Sequence, residues 1–204
     1  MDGILTRPCM KLKSVVCVFL FLTIAGVSYG DDEWALVVGP SFSEHQMRRP
    51  VEGSSRTIVS VCRIVDGEPE PLTREQKKSL HMTYDQVREE GLKTASKVLA
   101  GLKPEIVRDR NGVIRHAELR GDNPLIASTV LAPEFGAMFR DTLGPDLLVA
   151  MPHRNLVLVF SRQDDAHLLL AEQIIQGYLS ATYPVSREVF ALEDGKLRSL
   201  GVLQ

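Results

Sequence analysis

Four residues in a row, Pro152-His153-Arg154-Asn155, interrupt two apolar runs, Leu147–Met151 and Leu156–Phe160. Polar groups presented at the end of buried strands are a common way to build a site on a rigid scaffold. Arg154 can grip a carboxylate or phosphate through two parallel N–H donors, or it pairs with a carboxylate of the protein such as Asp146. His153 is either a base or a solvated turn residue. The candidate binding set is therefore Arg154, His153, Asn155 and Asp146, and the ligand it suits is anionic.

Other residues could carry different chemistry. His167 follows Asp164 by three positions on one helix face, so an imidazole and a carboxylate can meet there, or Asp164 caps the helix and His167 stays exposed. Ser128 and Ser186 fall at predicted strand edges and are the serines a hydrolase would draw on, although no Gly-x-Ser-x-Gly sequence is present. Cys62 sits mid-strand between Val61 and Arg63, where a small buried apolar role is expected rather than a reactive thiol. His45, His81 and His116 stand alone, and neither HExxH nor paired Cys/His spacing occurs. No metal, no cofactor and no catalytic residue is expected.

These residues must be positioned by sheet and helix. Trp34–Val38 and Thr57–Val65 read as strands, the second strongly β-branched. Thr73-Arg74-Glu75-Gln76 and Thr83-Tyr84-Asp85-Gln86 each match the capping box that starts a helix. From the second box Val87, Gly91, Ala95, Val98 and Leu102 recur at helical spacing. Glu105–Arg110 and Val113–Leu119 flank Asn111-Gly112 and predict a hairpin. Ser128–Leu131 reads as a short strand, and Pro133 as the first residue of a helix carrying Phe135, Met138, Phe139 and Leu143 up to Gly144. After the central hairpin, a helix from Asp164 to Thr182 carries Leu168, Leu169, Ala171, Ile174, Ile175, Tyr178 and Leu179 as a broad stripe expected to lie on the sheet. Val189–Leu192 and Lys196–Val202 close the chain as a hairpin around Glu193-Asp194-Gly195. Hairpins in succession, with helices between them, predict an α+β fold with a mainly antiparallel sheet covered by the Tyr84–Leu102 and Asp164–Thr182 helices.

The first 30 residues differ from the rest. Arg7, Lys11 and Lys13 precede an apolar core at Val15–Ala25, then Ser28-Tyr29-Gly30 and an acidic triplet. That is the pattern of a secretory signal peptide cleaved after Gly30, with Met10 as an alternative start. The expected organisation is a leader over 1–30, an N-terminal segment over 31–71 and an α+β domain over 72–204, in a secreted or periplasmic protein without a stable membrane span. Loss of Arg7, Lys11, Lys13 and Asp2 takes the formal charge from -2 to -4. Such a chain has no basic field to hold a phosphate backbone, which excludes nucleic acid as a partner. Cys9 and Cys17 leave with the leader, so Cys62 has no internal disulfide partner.

The stretch Gly144-Pro145-Asp146-Leu147-Leu148-Val149-Ala150-Met151-Pro152-His153-Arg154-Asn155-Leu156, together with Ala95–Leu99, Ser128–Leu131, Pro184 and Ser186, resembles the YtpQ-like family of uncharacterised bacterial proteins. The resemblance covers about Tyr84 to Gly201. It implies no activity or cofactor, but it adds weight to Pro152, Arg154 and Asn155. The leader and the Asp31–Pro71 segment depart from the family pattern. The function expected from all of this is a non-catalytic binding or interaction module for a protein or a small anionic ligand. The rival expectation is a hydrolase acting on a cell-envelope substrate through His153 or His167.

Overall fold

The computed structural model of the chain describes residues 33–163 and 166–204, with side chains over 33–163 and 168–204. The leader predicted over 1–30 lies outside the described residues, as do Asp164 and the side chain of His167. Residues Asp31–Gln204 form one compact unit. Its sheets are antiparallel and four α-helices pack with them, so the fold is α+β as expected.

Two sheets share the unit. The first contains β1 (Trp34–Pro40), β2 (Arg48–Pro50), β3 (Thr57–Val65) and β4 (Glu68–Pro71). Its centre is β3, which pairs with β1 along one edge and with β2 and β4 along the other. The second runs in the order β10 (Lys196–Val202), β9 (Glu188–Glu193), β7 (Leu147–His153), β8 (Leu156–Ser161), β6 (Ile114–Arg120) and β5 (Glu105–Arg108).

The predicted core strands β7 and β8 are the middle pair of the larger sheet. Side chains alternate across a strand, so Leu147, Val149, Met151, Val157 and Val159 enter one core while Leu148, Ala150, Leu156, Leu158 and Phe160 enter another. Burial on both faces explains why these runs are uninterrupted rather than alternating. The β7–β8 register slips between Ala150 and His153. Pro152, which has no N–H to donate, is tolerated at such an irregularity.

Four α-helices complete the unit among the described residues: α1 (Arg74–Ser79), α2 (Tyr84–Ala100), α3 (Phe135–Leu143) and α4 (Ala166–Leu179). Both predicted capping boxes are formed, at Thr73 and at Thr83. Helix α2 ends at Ala100, two residues before the expected Leu102, and it packs on β1 of the smaller sheet rather than on the larger one. Helix α3 begins at Phe135, two residues past Pro133.

Three local expectations need correction. Ala127–Leu131 is a 3-10 helix and not a strand. Asn123 starts it by accepting the Leu125 N–H at 2.8 Å, and bonds from Ser128 to Leu125 and from Thr129 to Ile126 continue it. A short run buried on all sides suits either element. The expected hairpin around Asn111-Gly112 forms, joining β5 to β6, but at its turn only Gly112 takes a positive φ. The loop spans five residues, tied together by Asp109 Oδ1, which accepts from Asn111 N–H at 2.8 Å and Val113 N–H at 2.9 Å. Two-residue turns with both φ values positive occur instead at Asp66-Gly67, between β3 and β4, and at Asp194-Gly195, between β9 and β10.

The third correction concerns α4, which meets the sheet along a narrow line. Leu170 and Ile174 are buried and Gly177 lies against Pro152, whereas Leu168, Leu169 and Leu179 are 64%, 70% and 63% exposed. The contact repeats at i, i+4 and i+7, one side of a helix resting on β7 and β8, so leucines off that line face water.

Candidate functional site

The Pro152–Asn155 turn is held by partners distant in sequence. The Arg154 guanidinium donates to Glu68 Oε2 at 2.9 Å and lies 3.6 Å from the centroid of the Tyr183 ring. Its backbone N–H donates to Tyr183 O at 3.2 Å, and its carbonyl accepts from Ala127 N–H at 2.9 Å. Asn155 Nδ2 donates to the Gly121 carbonyl at 2.8 Å. Burial, reinforced by the nearby Arg120 charge, pushes the His153 imidazole below its ordinary pKa. An open cleft of about 370 Å³ lies against His153, Arg154, Asn155, Ser180 and Tyr183.

Asp146 is not part of this group. It precedes β7 while the turn follows it, about 20 Å apart at the rise of a strand, and its carbonyl accepts from Arg162 N–H at 2.8 Å. The carboxylate that meets Arg154 is Glu68, from the smaller sheet. Arg154 thereby links β4 to the β7–β8 turn, and its Nε is buried without an acceptor among the described residues.

The serines proposed for a hydrolase serve the fold. Ser128 Oγ accepts the Val38 N–H at 3.2 Å on the edge of β1. Ser186 Oγ bonds Thr57 at 2.8 Å and accepts the Glu188 N–H at 3.0 Å. Among the described residues neither meets a histidine. A serine–histidine bond does occur between Ser60 Oγ and His45 Nδ1 at 2.5 Å, with Cys62 Sγ 4.0 Å from the same nitrogen. Ser60 is fully buried, however, and burial pushes the Cys62 thiol up to about 12, against a hydrogen bond from Ser60 that lowers it. A thiol held that high is inert. Among the described residues no group of three or more His, Cys, Asp or Glu can hold a metal ion, and no helix is long and apolar enough to cross a membrane.

A polar row lies on β6 beneath α4. With its proton on Nε2, His116 donates to Glu118 Oε1 at 2.9 Å, Gln173 donates to the same oxygen at 3.0 Å, and Arg120 Nε donates to Oε2. Burial alone would push the Glu118 carboxyl up, but the bonds from Arg120, His116 and Gln173 outweigh it and hold it at about 2. The folded value lies below the ordinary 4.5. The network therefore stabilises the fold above about pH 4.5 and loses that contribution as pH falls toward about 2. Thermal melts between pH 5 and pH 2.5 should fall more steeply for the wild type than for Glu118→Gln. The difference should be on the order of 1–2 kcal/mol, after screening through half-exposed Arg120. Parallel curves would rule out this role for the carboxylate.

The arrangement best suited to a ligand involves none of the four residues Arg154, His153, Asn155 and Asp146. A cavity of about 180 Å³ opens between α2, β2, β3 and the β9–β10 turn. Its apolar walls are Leu36, Val51, Val59, Leu92, Leu131 and Leu197, and Arg49, Arg88 and Lys196 add three cations but no carboxylate. Arg49 stacks 4.0 Å over the Tyr84 ring and reaches exposed Asp85 at 3.7 Å. Arg88 and Lys196 make no ion pair among the described residues. Burial pushes the Tyr84 hydroxyl up, opposed by Arg49 and Arg88. The only local signal was Arg88 on the polar face of α2, which marks a solvated helix face equally well.

Comparison with models of protein families, with curated proteins and with solved structures found no match to this chain.

Proposed function

We propose that this protein is a non-catalytic binding module that takes a small apolar monoanion, such as an aromatic or short aliphatic carboxylate, in the cavity between α2 and the β9–β10 turn. The leader-like first 30 residues would put that role outside the cytoplasm. The observation that carries the reading is the pairing of an apolar wall with Arg49, Arg88 and Lys196 and no lining carboxylate. Ligand sites are concave and mostly apolar, with a few convergent polar groups. An apolar cavity of about 150 Å³ accepts benzene, so the space suits a body of that size with its charge turned toward the cations.

A hydrolase would need a base within reach of an accessible nucleophile. The serines and histidines described above supply no such pair, which leaves binding as the better supported role.

Titration with benzoate, followed by methyl NMR, tests the proposal. Leu92 and Leu131 should shift saturably, benzamide should bind about tenfold more weakly, and Arg88→Gln should weaken benzoate about fivefold, a loss near 1 kcal/mol. Absence of shifts at these leucines, or equal binding of benzoate and benzamide, would overturn it.

A further inference from the structure

We propose a second, separate site: the cavity where the starts of β3 and β9 meet the last turns of α4 binds a carboxylate group between Arg56 and Arg187. It measures about 150 Å³, and Ser41, Phe42, Arg56, Tyr178, Arg187 and Glu188 contribute to its lining. None of its residues lines the cavity beside α2.

Two arginines open onto this space, and neither makes a salt bridge among the described residues. Arg187 is oriented by the Tyr178 ring, whose centroid lies 5.6 Å from its guanidinium carbon. The acid that lines the space, Glu188, is occupied elsewhere. It is 3% exposed, its Oε2 bonds Ser54 at 2.7 Å, Thr57 at 2.5 Å and Ser186 at 3.3 Å, and its Oε1 bonds Ser199 at 2.9 Å. Ser54 Oγ already accepts the Arg56 and Thr57 N–H groups, which leaves its proton free for Glu188. Ringed by hydroxyl donors, Glu188 accepts as a carboxylate. The guanidinium groups therefore keep their forks open.

Charge decides which anion suits the space. Arg56 and Arg187 supply two positive charges and the carboxylate at the floor one negative, so a monoanion brings the cavity to neutrality. A dianion leaves an excess negative charge in a partly desolvated space, which is unfavourable. The planar guanidinium fork also matches a carboxylate in geometry. Such a group can come from a free small acid or from the end of a peptide chain.

Arginine Nε–Hε NMR signals of the full chain, titrated with acetate, test this. Arg56 and Arg187 should shift saturably with acetate and not with acetamide, phosphate at equal ionic strength should bind more weakly, and Arg56→Gln and Arg187→Gln should each weaken acetate about fivefold. Trialanine with a free C-terminus binding more tightly than acetate assigns the site to chain ends, whereas equal binding assigns it to free acids. Trialanine amide should fail in either case. The proposal is overturned if neither acetate nor trialanine saturates the signals, if acetamide matches acetate, if phosphate binds more tightly, or if the double glutamine variant binds as the wild type does.

Discussion

Gly91→Ala should destabilise the protein by about 2–3 kcal/mol, although alanine in a helix interior ordinarily gains about 1 kcal/mol over glycine. Gly91 sits in the buried face of α2, and a Cβ there would meet Leu36 Cγ at 2.8 Å, Leu36 N at 2.9 Å and Ala35 C at 3.1 Å. Two of the three are backbone atoms of β1, which cannot turn aside as a side chain can. Helix and strand would have to separate, opening the packing of Val87, Leu36 and Val61. Gly136→Ala is the control, because its Cβ would meet only Leu192 Cδ2, at 3.2 Å. Urea unfolding should show the midpoint falling for the first variant and changing little for the second. A stabilised Gly91→Ala protein would mean that α2 does not approach β1 this closely.

Glu188→Ala should cost about 3 kcal/mol, which for a unit of this size lowers Tm by roughly 6–12 °C. Its carboxylate gathers hydroxyls from Ser54 and Thr57, beside and within the smaller sheet, and from Ser186 and Ser199, beside and within the larger one. Without it, the fully buried Thr57 hydroxyl is left with Ser186 alone. Unsatisfied buried donors are more costly than the bonds themselves are worth. Glu188→Gln keeps the shape but brings two N–H groups against hydroxyl donors, and about half the loss is expected. Unchanged thermal melts for both variants would show that the sheets do not depend on this cluster.

What could be read from the chain was whatever its neighbouring residues enforce. The reciprocal Thr–Gln pairs at Thr73 and Thr83 act over three positions, so both helix starts were legible. Runs such as Leu147–Met151 and Leu156–Phe160 have nowhere to go but a doubly buried strand, and they form the centre of the larger sheet. The same rule failed at Ser128–Leu131, where burial on every side fits a tight helix as well. It also failed on α4, where consecutive apolar residues do not reveal which of them faces the sheet: Leu170 is buried, while Leu168 and Leu169 beside it face water.

For the candidate site the division is sharper. The sequence marked Arg154 as a cation in an odd place, because an arginine between two core strands must find a partner. It did not name Glu68, which lies 86 positions away, nor did it join Arg49, Arg88 and Lys196 around one apolar cavity. The sequence by itself determined helix starts, turns, the central strand pair and the overall α+β class, because caps, turn residues and hydrophobic period act between near neighbours. Only the tertiary structure decided which charges are paired and which face a cavity, because that follows from how the two sheets and α2 come together, through contacts between residues far apart along the chain.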